Sequence, residues 1–448
     1  MTRAERFTAL AEAAGTGRWH LSYCRLPVAC LIGTTLTEAE DGLVRADLTI
    51  EKGKIVKLES PKGNSGVDLG GRIVLPGLVD CHTHLDKGHI WSRTPNPDGT
   101  FAGAIDATWT DRQAHWTLED IRQRMEFGLR AAYAHGTVAM RTHLDMGGES
   151  GANILSLVRE IAEEWAGRIT LQPAPLLGSY NADDPELLER IARELKPFPG
   201  AALGAFARAF REDQPDLPKR LEGFIRTAEK HGLALDFHVD ETTDPSSRGF
   251  AIVAEAVRQT GFEGPVLCGH CCALSGYTTN GLRRVLEMAQ GTGISVVSLP
   301  LCNAYLLDRH NEKTPRLRAV APVHEIRAAG MKVAFGSDNT RDPFNAYGDL
   351  DLWEIYRFAT LMQHLDHPVG DWPASVSRIP AEIIGVEAGC IAPGASADLI
   401  VLNARAWDEA ISRPQSDRIV IRDGLPIDPP LPEYAELDGL EGLDELPD

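Results

Sequence analysis

The sequence predicts an α/β fold, a (β/α)8 TIM-like barrel with a small β-sandwich domain assembled from both chain ends. Between residues 72 and 388, short apolar runs alternate with helical patterns, and this happens eight times. Strict alternation of strand and helix favours a parallel sheet, and eight units over roughly 300 residues suit a closed barrel. Short strand-like runs precede this region and return after it. An open doubly wound sheet is the alternative, but no glycine-rich phosphate loop follows the first strand.

These patterns divide the chain into four parts. A short amphipathic N-terminal helix is expected within residues 1–20, and the β-sandwich domain within 21–71 together with 389–428. The catalytic barrel is expected to span residues 72–388. The last part, 429–448, is an acidic tail that we expect to be a solvated terminal extension.

The composition is that of an ordinary globular protein, with 43% hydrophobic and 24% charged residues among 448. A net charge of −19 argues against a nucleic-acid partner or an anionic membrane surface, since both need a basic face. The sequence has no apolar run of membrane-spanning length, and its eight cysteines form no paired C-x-x-C motif. We therefore expect a reduced, cytoplasmic enzyme that forms a homo-oligomer and uses no cysteine as a nucleophile.

Metal-ligand side chains stand at the ends of several predicted barrel strands. His82 and His84 end the first strand, and residues two apart on a strand point to the same face. Strands five, six and eight end at His238, His270 and Asp338. In such barrels the active residues gather at the carboxyl ends of the strands, which predicts a metal site there. Two further histidines are intermediate candidates. His143 ends strand two and can line the pocket, and His89 follows the first strand in a predicted long loop.

Three histidines and one carboxylate suit one divalent ion per chain, Fe²⁺ or Zn²⁺, with a bound water in an open position. A metal ion lowers the pKa of this water towards about 7 and makes hydroxide available at neutral pH. Glu241 lies three residues after His238, where its carboxylate can take a proton from the water and pass it to a ring nitrogen. The alternative for Glu241 is a solvated loop acid.

Several motifs together carry a resemblance to a known family. They are LPGLVDCHTHLDK at 75–87, RTHLD at 141–145, DFHVDE at 236–241, GH at 269–270, FGSDN at 335–339 and GASADLIVL at 394–402. With these motifs the chain resembles the amidohydrolase superfamily. More narrowly, it is similar to the bacterial cytosine deaminase branch, which also contains N-isopropylammelide amidohydrolase.

The resemblance implies hydrolytic deamination of a cytosine-like or related amino-substituted N-heterocycle, with metal-bound hydroxide as the nucleophile. The positions that match the family's ligands for a single divalent metal are His82, His84, His238 and Asp338. Glu241 matches the proton shuttle, His270 matches the histidine that orients the hydroxide, and Asp338 would also accept the water proton. Binuclear relatives carry a carboxylated lysine at the end of strand four, and no lysine stands at 201–206, which favours one metal.

The predicted substrate pocket differs from that of cytosine deaminases. Those enzymes carry a glutamine after strand three, where this chain has PAPLLG at 173–178. Asn339 replaces a carboxylate after the metal aspartate, and Phe344 replaces a tryptophan. The residues predicted to bind substrate are His143, Leu176, Asn339 and Phe344. Because a site built to pair with one ring edge rejects analogues that lack the pairing, cytosine is expected to be a poor substrate.

Other functions fit the sequence less well. Within the superfamily, the alternative is hydrolysis of a cyclic amide or of an alkylamino-triazine. A non-catalytic scaffold is disfavoured because such relatives lose metal ligands, whereas all four are present here. A nucleic-acid deaminase is disfavoured by the net charge and by the absence of the H-x-E…P-C-x-x-C signature. The expected partners are therefore a small heterocyclic substrate and water.

Overall fold

The computed structural model describes residues 1–36, 40–62, 66–146, 151, 153–178, 181–182, 184–207 and 217–441. Of the acidic tail, residues 442–448 lie outside this described part. None of the described helices combines the length and the apolar character needed to cross a membrane.

The strands, in chain order, are β1 Arg18–Pro27, β2 Leu43–Glu51, β3 Lys54–Glu59, β4 Val67–Asp68, β5 Val74–Pro76, β6 Leu78–Thr83, β7 Thr137–Asp145, β8 Thr170–Leu177, β9 Ala202–Phe206, β10 Ala234–Val239, β11 Val266–His270, β12 Ile294–Ser298, β13 Val333–Phe335, β14 Leu399–Val401, β15 Ile419–Arg422 and β16 Leu425–Ile427.

The helices, in chain order, are α1 Arg3–Ala14, α2 Phe101–His115, α3 Leu118–His135, α4 Ile154–Glu164, α5 Pro185–Leu195, α6 Leu217–His231, α7 Gly249–Thr260, α8 Thr279–Ala289, α9 Pro300–Leu306, α10 Val323–Ala328, α11 Leu352–Gln363, α12 Arg378–Ile384, α13 Trp407–Ser412 and α14 Asp438–Glu441.

Strands β6 to β13 form one eight-stranded sheet in which each strand pairs with its neighbours along the chain. All of these pairings are parallel, as the alternation of strands with helices requires. An isolated parallel bridge between Thr83 and Asp338 joins the end of the first strand to the residues that follow the eighth. This bridge brings the two edges of the sheet together, so the predicted (β/α)8 barrel is confirmed.

Two four-stranded sheets flank the barrel and draw strands from both ends of the chain. One has the order β3-β2-β1-β4 and the other β16-β15-β14-β5. Residues from both sheets share one hydrophobic core, including Leu21, Ile50, Leu399 and Ile421. Helix α1 contributes Leu10, whose side chain is fully buried in this core.

The four-part division of the chain remains our proposal, although the elements refine its edges. The N-terminal helix ends at Ala14, and the first strand already begins at Arg18, inside the predicted 1–20 segment. At the base of the barrel, α12 buries Ile383 and Ile384 against strand residues such as Val79. Residue 384 is therefore still part of the barrel core, which agrees with the proposed boundary near 388.

Two segments differ from the sequence expectations. Helix α2 occupies part of the region after the first strand that the sequence predicts to be a long loop, and the Thr100 side chain caps this helix by accepting from the Gly103 amide. The described part of the acidic tail is largely exposed, as a solvated extension would be, but two of its side chains pack against the rest of the chain. Leu437 is buried, and the Tyr434 ring packs against the ring of Phe127 with their centroids 5.6 Å apart. Apolar side chains among the acids explain this contact, because they gain by leaving water.

Candidate active site

The barrel closure places the first and eighth strands side by side at the carboxyl end of the sheet. The Asp338 amide donates to the His82 carbonyl at 2.9 Å, and the Thr83 hydroxyl donates to the Asp338 carbonyl at 3.2 Å. Asp338 and His270 both adopt positive φ angles, 59° and 70°. Backbone in this region is uncommon for residues other than glycine and is often found at functional sites.

Four predicted ligands converge on one buried point. The His84 Nε2 and His82 Nε2 atoms lie 3.3 and 3.5 Å from Asp338 Oδ1. The His238 Nε2 atom lies 3.2 Å from His84 Nε2. Gly269 makes room for the His82 ring, since a Cβ at this position would lie 2.7 Å from His82 Cε1. The structure therefore brings together the four residues that the sequence assigned to the metal.

The donor atoms of this cluster fit a divalent cation. Neither His82 ring nitrogen nor either Asp338 carboxylate oxygen has a hydrogen-bond partner among the described residues, although these atoms are buried. Burial lowers the pKa of His82, His84 and His238 well below 6.5, which keeps the imidazoles in the neutral form that binds metals. Burial opposes ionisation of Asp338, but the charge of His270 and contact with His84 outweigh it and lower the Asp338 pKa to about 2.

His143 is also brought to this cluster, although its surroundings differ from those of the other histidines. Its ring centroid lies 4.0 Å from that of His82, and it can be grouped with three of the other histidines as a set of donor atoms within 4.8 Å. However, its Nε2 is 2.9 Å from Asp236 Oδ1, and Arg141 donates to the other oxygen of that carboxylate at 3.0 Å. This ion-paired group lies beneath the metal ligands within the barrel.

Glu241 and His270 stand beside the cluster, as the sequence predicted. The His270 Nδ1 atom lies 3.6 Å from Glu241 Oε1 and 3.9 Å from Asp338 Oδ2. The Glu241 side chain is 11% exposed, so it is not the solvated loop acid of the alternative interpretation. Asn303, which the sequence did not single out, places its Nδ2 atom 3.0 Å from His270 Nδ1 and thereby orients the ring. Asn303 lies on α9, a short helix after strand seven of the barrel. In the sequence, only this location at the carboxyl end of a barrel strand could have indicated that Asn303 belongs to the site.

A cavity opens above the cluster between the barrel and helix α2. Its lining residues are His84, Lys87, Phe101, Ile105, Thr108, Trp109, Arg112, Asp145, Phe206, His238, Glu241, His270, Asn339 and Phe344. Asn339 and Phe344 were predicted to contact substrate and do line the cavity. His143 and Leu176 are buried within β7 and β8 and are not among the described residues that line it. Both side chains are packed within the strands. A position at the end of a strand does not show whether a side chain lines the pocket or packs inside the barrel, so the sequence could not distinguish the two cases.

Five of the lining residues come from α2, and the sequence predictions missed all of them. Phe101, Ile105 and Trp109 recur every four residues, which puts them on one helix face. Trp109 remains 52% exposed and Ile105 38% exposed. The helical spacing was therefore present in the sequence, but its apolar face looks into a cavity instead of a packed core.

Asn339 is less free to read a substrate than its sequence position indicated. Its Nδ2 atom donates to Asp342 Oδ2 at 2.6 Å, and that carboxylate also accepts from the Phe344 amide at 2.8 Å. Burial raises the pKa of Asp342 to about 6. One amide hydrogen of Asn339 is thus already used, and its oxygen faces the Cys302 thiol at 3.8 Å.

Comparison with known proteins gives consistent results over most of the chain. The model of the amidohydrolase family matches residues 65–214 and 204–427. A pterin deaminase from Rhizobium rhizogenes is 43% identical over 433 residues, covering 95% of this chain and 97% of its own. The N-isopropylammelide isopropyl amidohydrolase of Pseudomonas sp. strain ADP is 23% identical over 393 residues, covering 84% of this chain and 92% of its own.

The fold is also that of solved structures. A 5-methylcytosine deaminase from Klebsiella pneumoniae, liganded with 5-fluorocytosine, superposes with a TM-score of 0.77 at 24% identity, covering 91% of this chain and 97% of its own. The resemblance noted in the motifs is thus confirmed by a family match that spans the barrel and the flanking sheet of β5, β14, β15 and β16. The chain belongs to the amidohydrolase family.

Proposed function

We propose that this amidohydrolase is a metal-dependent hydrolytic deaminase of an amino-substituted N-heterocycle, and that the heterocycle is a pterin. The class of reaction agrees with the sequence prediction. The choice of pterin is more specific than that prediction, which named only a class of heterocycles. Support for pterin comes from the relative named a pterin deaminase, which is 43% identical and covers 95% of this chain. Cytosine, the ring of the more distant branch, is disfavoured by the same comparison.

The observation that carries the proposal is the juxtaposition of a buried donor cluster and an acid–base pair at the floor of one aromatic cavity. The cluster and the pair share Asp338, whose Oδ1 faces His82 and His84 and whose Oδ2 faces His270. Such a floor supplies both a place for a cation and groups that move protons. The cavity walls supply apolar faces on which a flat ring can pack.

The cofactor is proposed to be one divalent ion, Fe²⁺ or Zn²⁺, held by His82, His84, His238 and Asp338. When bound, such an ion supplies a nucleophilic water at neutral pH by lowering the pKa of that water to about 7. Neutral imidazoles and an ionised carboxylate are the forms needed for this binding, and burial together with His270 favours them here.

The chain's own residues would then carry out the remaining steps. The Phe344 ring, held by an edge-on contact with Phe101 at 5.6 Å, forms one wall for the heterocycle. Glu241 takes one proton from the attacking water and delivers it to the ring nitrogen next to the carbon that is attacked. His270, fixed by Asn303, hydrogen-bonds the attacking oxygen. Asp338 takes the second proton of that oxygen and passes it to the amino group, so the C–N bond breaks, ammonia leaves and the carbon becomes a carbonyl.

The direct test is ammonia release from a panel of amino-substituted pteridines, pyrimidines and triazines. We expect pterin to be converted with a kcat/KM at least about 10² above that of cytosine, since cavities that pair with one ring reject another by such factors. A higher kcat/KM for cytosine or for an alkylamino-triazine would contradict the choice of ring. Absence of ammonia from every compound, with metal bound, would contradict the reaction itself. The cytoplasmic location and the homo-oligomer stay predictions.

A further inference from the structure

We propose that Lys87 selects an oxo-substituted ring: its ammonium group donates a hydrogen bond to a ring carbonyl oxygen, so the substrates are amino-oxo heterocycles and not diamino ones. The inference rests on the proposed function, because it names the substrate class of the same site.

Lys87 is a buried cation that lines the cavity without an acceptor. It follows the metal-ligand motif by three residues and is 6% exposed, and its side chain contributes to the cavity wall. The Nζ atom lies 4.6 Å from the centre of the Phe344 ring. Within the described part of the chain, this ammonium group forms no hydrogen bond and no ion pair. The Nζ atom itself is open to the cavity. A ring that fills this space must therefore offer it an acceptor, because removing a charge from water without a partner is costly.

The acidic residues near Lys87 are Asp342 and Asp86, and both accept from other donors, although the Oδ1 atom of Asp86 is buried without a hydrogen-bond partner among the described residues. Asp342 accepts from the Asn339 side chain at 2.6 Å and from the backbone amides of the same loop. The Oδ2 atom of Asp86 accepts from the Asp145 amide at 2.6 Å. Asp145 itself is paired with Arg112, the other cation of the cavity. Arg112 thus has an ion-pair partner, whereas Lys87 has none among the described residues.

The position and chemistry of Lys87 indicate a ring oxygen. Lys87 and the predicted metal ligand His84 line the same cavity, which places the ammonium group near the predicted metal site. Phe344 lies under the ammonium group and forms the wall on which the heterocycle would pack. An ammonium group has three donors and no acceptor, so it stabilises a carbonyl oxygen and repels an amino group at the same ring position. A carboxylate on a substituent is a second possible source of the same oxygen chemistry.

The test compares substrates that differ in one group. Pterin (2-amino-4-oxo), 2,4-diaminopteridine and pterin-6-carboxylate are assayed for kcat/KM with wild type, Lys87→Met and Lys87→Gln. Lys196→Met, at an exposed lysine that does not line the cavity, is the matched control. Because a hydrogen bond to a charged group contributes about 1.5–3 kcal/mol, wild type should prefer pterin over the diamino ring by about 10–10².

In Lys87→Met, kcat/KM should fall by about 10–10² for pterin and equally for pterin-6-carboxylate, but little for the diamino ring, so the preference collapses. Lys87→Gln retains a neutral donor, so its preference for pterin should lie between those of wild type and Lys87→Met. Affinity for lumazine, the dioxo product, measured by fluorescence, should weaken by a similar factor. A preference unchanged by both variants overturns the proposal. A fall confined to pterin-6-carboxylate assigns Lys87 to the carboxylate and overturns it as well.

Two further outcomes distinguish a purely structural role of Lys87 from a wrong choice of substrate ring. If Lys87 only balances neighbouring carboxylates, the variants will lose thermal stability and slow all three substrates equally, which contradicts a role in selection. If wild type does not convert pterin, the proposed ring is wrong. The same comparison is then made with isocytosine and 2,4-diaminopyrimidine, and the Lys87 inference stands or falls on that pair. Unchanged metal content in each variant shows that the site itself is intact.

Discussion

Replacing Glu241 with glutamine removes one ionisable carboxyl group while keeping the size of the side chain. In the structure this carboxylate lies 3.6 Å from His270 and lines the cavity floor, where it is 11% exposed. Glutamine can occupy the same space and donate hydrogen bonds, but it cannot carry a proton from water to a ring nitrogen. The variant therefore tests proton transfer with little change in packing.

Positioned acid–base groups contribute about 10²–10⁴ to rate, so kcat should fall by at least about 10². That fall corresponds to about 2.7 kcal/mol of transition-state stabilisation. KM should change much less, because Glu241 is expected to act on the proton and not on ring packing. The measurement is steady-state ammonia release, with metal content determined on the same sample and Glu263→Gln, an exposed acid, as the control.

Near wild-type kcat in Glu241→Gln would refute the assignment and make His270 the next candidate. Loss of metal from the variant would also refute the assignment of Glu241 as a proton carrier. Glu241, Cys302 and Asp338 form another set of donor atoms that lie within 4.8 Å of one another, so a metal-free variant would indicate that Glu241 is a ligand.

Three further outcomes are expected. His238→Ala should retain less than about a tenth of the wild-type metal, since a four-ligand site loses a donor; full occupancy by elemental analysis would contradict the ligand set. Asn339→Asp places a carboxylate against Asp342, whose pKa burial already raises to about 6. The shared charge should lower kcat/KM for the preferred ring at least about 10-fold and alter its ratio to cytosine, and an unchanged ratio would clear Asn339 of a role in selection. Seven of the eight cysteines are buried and Cys390 is half-buried, so a thiol reagent should label about one thiol in the native protein and all eight after denaturation; rapid native labelling of several thiols would contradict this burial.

The barrel strands could be predicted because each is a short, fully buried run with its own apolar signature. Leu78–Thr83 and Ala234–Val239 are buried at every position, and in both cases the histidine falls near the carboxyl end. Since strand ends of a parallel barrel meet at one face, the chemistry could be placed without knowing any distance. The ligand cluster followed from this topology alone.

What could not be predicted depends on contacts between distant parts of the chain. The Asp236 carboxylate that contacts His143 lies on a strand 93 residues further along the chain, and no local sequence pattern predicts that the two residues meet. The tail is held by Arg341, whose guanidinium lies 4.1 Å from the centre of the Tyr434 ring, and by Arg130, which pairs with Glu436 at 2.6 Å. The many acids of the tail obscured its few apolar side chains, which decide where it packs.

The most direct test of the central claim is a titration of metal-depleted protein with Zn²⁺ or Fe²⁺ while pterin deamination is measured. One buried cluster of three imidazoles and Asp338 should take one ion per chain, so activity should rise linearly to about one equivalent and then remain constant. A plateau at two equivalents would contradict the mononuclear site. Full deamination by the metal-depleted protein would contradict the metal-dependent mechanism.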